Sequence, residues 1–188
     1  KKYKNIKFYS LKNCKKGEAL KFGIEKSKGD IIVFFPSDDE YALEDIEKVI
    51  APIMLGQSGI VYGSRMIKCI NLDDQLGAIY KKDFLGMLLS KYGGKLINLF
   101  ILAFFNKSIS DPFTSLKAFD ANLLKKLHLN RKGFDMDFEI FVKLNNAKNF
   151  FLEVPVGFRP RSRNSGKKMT VIEGLKCLFY LIFNKFID

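Results

Sequence analysis

The sequence predicts an α/β domain with a mostly parallel sheet that is flanked by helices. Two observations lead to this prediction. Residues 31–35 (IIVFF) form a continuous apolar run, which is typical of a strand buried on both faces of a parallel sheet. The residues around this run alternate between strand patterns and helix patterns, and that alternation is typical of a parallel α/β layer.

The predicted elements follow one another along all 188 residues. Alternation and apolar runs predict strands over residues 5–11, 31–35, 59–62 and 150–158. Apolar residues at helical spacing predict helices over residues 18–27, 43–54, 121–127, 137–145 and 171–186. Residues 80–105 predict one broken helix or two consecutive ones. Because no repeat or linker interrupts this order, we interpret residues 1–188 as one domain, with the strand that contains Pro155 at a sheet edge.

The charge balance points to an anionic partner. Lys and Arg exceed Asp and Glu by 12, so a membrane surface, a phosphate-bearing ligand or nucleic acid is expected. The apolar content of 47% excludes a disordered chain. The cysteines, Cys14, Cys69 and Cys177, are far apart, and the one histidine is His128. This spacing argues against a Cys/His zinc site and a Cys–His nucleophile pair, and the thiols suit a reducing cytosol.

Acidic side chains follow the apolar run directly. Asp38, Asp39 and Glu40 come after Pro36, which ends the predicted strand. Ligands of parallel sheets bind at the carboxyl ends of strands, and carboxylates there can hold a divalent cation that clamps a diphosphate. The alternative is a solvated acidic turn that caps the next helix.

Basic residues cluster near the end of the chain. They lie around Gly166 and are Arg159, Arg161, Arg163, Lys167 and Lys168. Arginine forks suit phosphate recognition, although a plain solvated basic loop has the same composition. Arg65 ends another predicted strand, and Asp111 precedes a proline in what is predicted to be a turn.

The apolar segments raise the question of a membrane. The most continuous run, residues 96–105, has ten residues and rises about 15 Å as a helix, which is half of a bilayer core. We therefore expect residues 80–105 and 171–186 to be buried against the sheet or to lie in a membrane interface, without spanning it.

Nine short motifs, taken in order, resemble one family. They are residues 13–20 (NCKKGEAL), 29–32 (GDII), 37–41 (SDDEY), 63–65 (GSR), 110–117 (SDPFTSLK), 133–134 (GF), 137–140 (DFEI), 153–156 (EVPV), and Arg161 with residues 166–168 (GKK). The chain is similar to the family 2 glycosyltransferases of the GT-A fold, in the branch of dolichyl- or polyprenyl-phosphate mannosyl- and glucosyltransferases. The resemblance implies a GT-A-like, Rossmann-like sheet that lacks its first strands here.

The resemblance also implies a reaction and its residues. A hexose passes from a nucleotide sugar, of the GDP-mannose or UDP-glucose type, to a polyprenyl or dolichyl phosphate with inversion. Asp38 and Glu40, with Asp39 beside them, match the positions that bind the donor and Mg²⁺ or Mn²⁺. Asp111 matches a position often considered catalytic. The acceptor phosphate is expected to bind at a set of cations, namely Arg65, Arg161, Lys167 and Lys168.

One departure from the family pattern leaves a second hypothesis open. Pro36 stands where the family has the first Asp of its Asp-x-Asp motif. The chain could therefore be an inactive relative that serves as a membrane-bound or partner-binding scaffold. In either case we expect the protein at the cytoplasmic face of a membrane. An oligomer or a membrane-anchor partner is compatible with the sequence. We expect no specific binding to nucleic acid.

Overall fold

A four-stranded sheet lies at the centre of the protein. The structure is a computed structural model, and it describes residues 5–69, 71–80, 83–161 and 171–186. The strands are β1 (Ile31–Phe34), β2 (Ile60–Ser64), β3 (Lys117–Asp120) and β4 (Leu152–Pro155). The helices are α1 (Lys16–Lys26), α2 (Asp45–Met54), α3 (Leu72–Tyr80), α4 (Phe84–Phe105), α5 (Ala121–Lys125), α6 (Met136–Asn146) and α7 (Val171–Phe186).

Three of these strands run in one direction. The strand order is β1-β3-β2-β4, and β2 pairs with β4 in parallel, whereas β3 is antiparallel to both β1 and β2. The expectation of a mostly parallel sheet is confirmed in this sense, and β4 lies at the edge. The sequence did not predict β3, which is inserted between β1 and β2. The carboxyl ends of β1, β2 and β4 therefore meet the amino end of β3 at one end of the sheet.

The prediction of a strand over residues 5–11 is wrong. This segment forms no strand, and Ile6 and Phe8 are 69% and 88% exposed. Its alternating pattern is suited to a strand, but a strand also needs a neighbour for its backbone N–H and C=O groups. Within the described residues, no strand pairs with this segment.

Apolar side chains cover both faces of the sheet. Phe34, Tyr62 and Phe119 point into the larger core, which α4, α6 and α7 complete. Val61 and Ala118 point to the opposite face, where Val49 of α2 covers them. This burial on two faces explains why β1 and β2 are continuous apolar runs in the sequence.

The expectation of one broken helix or two consecutive helices over residues 80–105 is wrong, because α4 runs unbroken through nearly all of this region and α3 lies before it. α3 ends at Tyr80, and α4 begins after Asp83, whose side chain accepts a hydrogen bond from the Gly86 N–H at 2.9 Å. The expectation that this region is too short to span a membrane is wrong. The 22 residues of α4 rise about 33 Å, so by length and composition this helix could cross a bilayer.

A buried lysine begins β3, at the end of the sheet where the carboxyl ends of β1 and β2 lie. Lys117 is 1% exposed, and its Nζ donates to Oδ1 of Asp137 at 2.9 Å. The same Nζ lies 4.7 Å from the centroid of the Tyr62 ring. Lys16 donates to the other carboxylate oxygen, Oδ2, at 2.6 Å. Burial favours a higher pKa for Asp137, but the two ammonium groups outweigh it and lower the pKa to about 2.

We expect Asp137→Asn to destabilise the protein by about 3–5 kcal/mol, because burial already lowers the pKa of Lys117 and, without Asp137, its ammonium must either stay charged in the core or give up its proton. Urea unfolding at neutral pH measures this change. Glu25→Gln is the matched control, since Glu25 is exposed, and we expect it to change stability by less than about 0.5 kcal/mol.

The same pair predicts a pH dependence. The folded pKa of Asp137 lies below its usual value of 3.8, so its stabilisation is present above that value and is lost as the pH falls towards 2. The stability difference between wild type and Asp137→Asn should therefore shrink across this range. A difference that stays constant with pH would contradict the pairing.

Candidate active site

Five of the residues that the sequence singled out meet at the carboxyl ends of β1 and β2. β1 ends at Phe34 and leads into residues 36–40, which we call the acidic turn. β2 ends at Ser64, so Arg65 is the first residue beyond it. The segment 110–116, which leads into β3, brings Asp111 to the same place. We call this group of residues the strand-end site.

The acidic turn is not extended. Asp39 has a φ of 62°, in the left-handed region, and is exposed. The Glu40 N–H lies 3.4 Å from Oδ1 of Asp38, a long contact of the kind that Asx turns make. Asp38 and Glu40 are partly buried on the inner side of this turn, whereas Asp39 faces solvent. The structure thus brings Asp38 and Glu40 to one site and leaves Asp39 outside it.

Tyr41 holds the acidic turn against the neighbouring segment. Its hydroxyl accepts a hydrogen bond from the Ser115 N–H at 3.2 Å and lies 3.2 Å from Oγ1 of Thr114. Thr114 in turn donates to the Gly63 carbonyl at 2.6 Å. Burial raises the pKa of Tyr41, so the phenol stays neutral and keeps its proton for hydrogen bonding. These contacts fix the positions of both strand ends.

Arg65 and Asp111 form a bidentate ion pair. Nε and Nη2 of Arg65 donate to Oδ2 and Oδ1 of Asp111 at 2.6 and 2.7 Å, and the Arg65 N–H donates to Oδ2 at 3.0 Å. The guanidinium also lies over the Phe158 ring, 4.9 Å from its centroid. Burial lowers the pKa of Arg65, but Asp111 outweighs this effect and raises it, with a smaller contribution from Glu40. Asp111 is therefore engaged with Arg65, and its catalytic role stays a prediction.

Glu153 of β4 supports this ion pair, and the sequence did not single it out. Its carboxylate accepts hydrogen bonds from the Ser110 N–H at 2.7 Å and the Asp111 N–H at 3.0 Å. A carboxylate that binds two successive N–H groups fixes the backbone on which Asp111 is carried. The available signal was its place in the motif at residues 153–156, in a predicted edge strand.

Arg161 lies on the acidic turn. Its Nη2 donates to Oδ2 of Asp38 at 2.6 Å, and its Nε lies 3.5 Å from Oε1 of Glu40. Its backbone N–H donates to the same Glu40 oxygen at 3.2 Å, and the Arg159 N–H donates to the Glu40 carbonyl at 2.9 Å. We expected Arg161 at an acceptor phosphate; the structure shows it in contact with Asp38 and Glu40, and its role at a phosphate stays a prediction. Lys167 and Lys168 lie outside the described residues.

The side-chain oxygens at the site allow one test of the predicted metal ion. Within the described residues, no group of three or more His, Cys, Asp or Glu side chains is placed to hold a metal ion, and Pro36 offers no side-chain oxygen. Asp38 and Glu40 nevertheless converge on one cation, the Arg161 guanidinium. Two carboxylates fit a divalent cation that brings the rest of its oxygen ligands with it, as a cation bound to a diphosphate does.

Comparison with known proteins gives a family match. The family model described as "Glycosyl transferase family 2" matches residues 1–113. A dolichol-phosphate mannosyltransferase of Pyrococcus furiosus is 28% identical over 160 residues, which cover 85% of this chain and 43% of that protein. A UDP-N-acetylglucosamine–dolichyl-phosphate N-acetylglucosaminyltransferase of Methanococcus voltae is 28% identical over 175 residues, which cover 90% of this chain and 65% of that protein.

Solved structures show the same fold. One is glucosyl-3-phosphoglycerate synthase of Mycobacterium tuberculosis in complex with Mn²⁺, UDP-glucose and phosphoglyceric acid. It superposes with a TM-score of 0.61 at 15% sequence identity, and the match covers 90% of this chain and 54% of the synthase chain. A second structure of that enzyme, with Mg²⁺ and UDP, also has a TM-score of 0.61, covering 91% of this chain and 54% of its own. The GT-A-like α/β fold is confirmed. The chain spans less than half of the Pyrococcus protein and about half of these structures.

We expect Asp111→Asn to lower stability by about 3 kcal/mol, because it leaves the Arg65 guanidinium charged and without its carboxylate partner. Thermal or urea unfolding measures this change. Asp39→Asn is the matched control, since Asp39 is exposed and Asn tolerates the left-handed conformation there. Equal stability of the two variants would show that the ion pair does not hold the strand ends.

Proposed function

Because this chain belongs to glycosyl transferase family 2, we propose that it transfers a hexose from a nucleotide sugar to a polyprenyl or dolichyl phosphate, with inversion. The observation that carries this proposal is the meeting of three carboxylates and two arginines at the strand ends. A reaction between a sugar diphosphate and a phosphate needs cations at such a place. The names of the Pyrococcus and Methanococcus relatives, which contain dolichol phosphate and dolichyl phosphate, support the class of acceptor.

We assign the donor to the acidic turn. Asp38 and Glu40 would hold Mg²⁺ or Mn²⁺ together with the diphosphate of a GDP or UDP sugar. The cation would stabilise the negative charge of the departing nucleoside diphosphate. The structures of the mycobacterial enzyme with Mn²⁺ or Mg²⁺ and a uridine nucleotide support a cation of this kind in the fold. Asp39, which faces solvent, has no direct part in this arrangement.

We assign the acceptor phosphate to Arg65. A phosphate monoester has a second pKa near 6 and is largely a dianion at neutral pH, so it needs little help from a general base. Its oxygen attacks the anomeric carbon, and the bond from that carbon to the diphosphate oxygen breaks with its electron pair. Asp111 uses Nε and Nη2 of Arg65, and no hydrogen bond among the described residues uses Nη1. Asp111 thus orients a guanidinium that still has donors for a phosphate.

The exposed apolar side chains support a membrane surface as the place of the reaction. α7 buries Cys177 and Leu181 against the core, yet Leu175 and Phe179 on its other side are 49% and 58% exposed. α4 packs against α7 and also exposes apolar side chains, among them Leu99, which is 61% exposed. A polyprenyl chain is confined to the bilayer, so its enzyme must reach that surface. Because the chain has a net charge of +12, we infer that it contacts the anionic, cytoplasmic face of a membrane.

We expect Asp38→Asn to lower hexose transfer at least 100-fold, because the neutral amide is a poorer cation ligand than the carboxylate. Transfer of labelled sugar from GDP-mannose, UDP-glucose or UDP-N-acetylglucosamine to a polyprenyl phosphate in detergent, with Mn²⁺ present, is the measurement. Asp39→Asn should retain most of the activity.

The same assay decides between an enzyme and the inactive scaffold that Pro36 suggests. A folded wild-type protein that transfers no sugar from any of the three donors would favour the scaffold. Equal activities of Asp38→Asn and wild type would refute the assignment of the donor to the acidic turn.

We expect the wild-type protein to float with vesicles that contain anionic lipid, and the double variant Leu175→Ser, Phe179→Ser to lose at least half of this binding. Each of the two side chains buries apolar area in the interface. Met54 and Leu55, which are 75% and 71% exposed at the end of α2, provide the control pair for the same change to Ser. Loss of flotation in the control pair alone would place the membrane contact on a different surface.

A further inference from the structure

Arg161 occupies the carboxylates that would hold the cation of the donor. We propose that Arg161 and a divalent cation compete for Asp38 and Glu40, so that binding of the metal requires release of Arg161 from the acidic turn. This inference rests on the proposed function and deepens it, because it adds a contact that regulates metal binding at the same site. It follows from three features of the described residues.

The first feature is the use of the same oxygens. Oδ2 of Asp38 accepts a hydrogen bond from Nη2 of Arg161 at 2.6 Å, and Oε1 of Glu40 lies 3.2 Å from the backbone nitrogen and 3.5 Å from Nε of the same residue. A divalent cation would approach these oxygens to about 2.0–2.6 Å. The guanidinium and the cation would then lie within a few ångströms of each other, and their like charges would repel.

The second feature is the charge of the turn. Asp38 and Glu40 carry two negative charges where they converge, and Arg161 cancels one of them. Pro36 adds none. A cation that arrives without a nucleotide therefore meets a weaker attraction than two free carboxylates would provide, and it must also displace a charge-assisted hydrogen bond.

The third feature is the partial exposure of the ion pair. The side chains of Arg161 and Asp38 are 36% and 29% exposed, in contrast to the buried pair of Lys117 and Asp137. An arginine at such a position can leave its partner for water or for a phosphate oxygen, which offers the same fork geometry. The exchange therefore needs no change in the core.

The chain offers a matched control two residues away. Arg159 carries the same charge and is exposed, and its backbone N–H, which a side-chain change preserves, makes the contact to Glu40. Removal of Arg159 tests whether a change in total charge alone alters the affinity for metal. Removal of Arg161 tests the competition itself.

The experiment is a titration of the folded, full chain with Mn²⁺ alone, in which electron paramagnetic resonance measures the free ion. We expect Arg161→Ala to lower the Kd for Mn²⁺ at least tenfold relative to wild type, and Arg159→Ala to change it less than twofold. If Arg161→Ala does not fold, as checked by circular dichroism, Arg161→Gln is titrated instead, with the same expectation.

Several results would overturn the inference. The first is an equal Kd for Mn²⁺ in Arg161→Ala and wild type. The second is a decrease of the Kd in Arg159→Ala as large as that in Arg161→Ala. The third is no binding of Mn²⁺ by any variant. Because no substrate is present, the result is separate from the proposed function. An active wild type with an unchanged Kd in Arg161→Ala refutes the competition only, whereas a tighter Kd in a protein without transferase activity refutes the proposed function only.

Discussion

The ion pair between Arg65 and Asp111 is the interaction on which the arrangement of the strand ends depends. Arg65 belongs to the end of β2, and Asp111 belongs to the segment that leads into β3. The N–H of Asp111 is held by Glu153 of β4, so one short chain of contacts joins three strands. The pair also determines which groups remain for chemistry. It ties up the carboxylate of Asp111, and no hydrogen bond among the described residues uses Nη1 of Arg65.

The sequence predicted the elements that depend on local composition. β1 was predicted because burial on two faces requires a continuous apolar run, and residues 31–35 provide it. β3 was not predicted, because Lys117 interrupts its short apolar pattern. The partner that makes this lysine tolerable, Asp137, lies 20 residues away. Conversely, residues 5–11 have a strand pattern but no strand forms, since a pattern cannot reveal whether a neighbouring strand is available.

The sequence predicted which residues form the candidate site, but it did not predict which of them contact each other. Asp38, Glu40, Arg65, Asp111 and Arg161 were all singled out, and the structure brings all five to the strand ends. The sequence placed both arginines with the acceptor. It could not show that Arg161 lies on Asp38, 123 residues earlier in the chain, or that Arg65 faces Asp111 across 46 residues. Pairings over such distances follow from the strand order, and that order included a strand that the sequence did not reveal.

The pairings give the departure at Pro36 a physical meaning. If an Asp stood at position 36 and also faced Arg161, one arginine would leave two of three carboxylate charges uncompensated, and a free divalent cation would be strongly attracted. Only Asp38 and Glu40 converge on Arg161 here, so one of their two charges is left uncompensated before any ligand arrives. A diphosphate carries several negative charges and cannot approach such a turn alone without repulsion. If the proposed donor binds at this turn, its diphosphate would have to bring a cation or draw Arg161 away from the carboxylates, and under the proposed competition both routes begin by breaking the contact between Arg161 and Asp38.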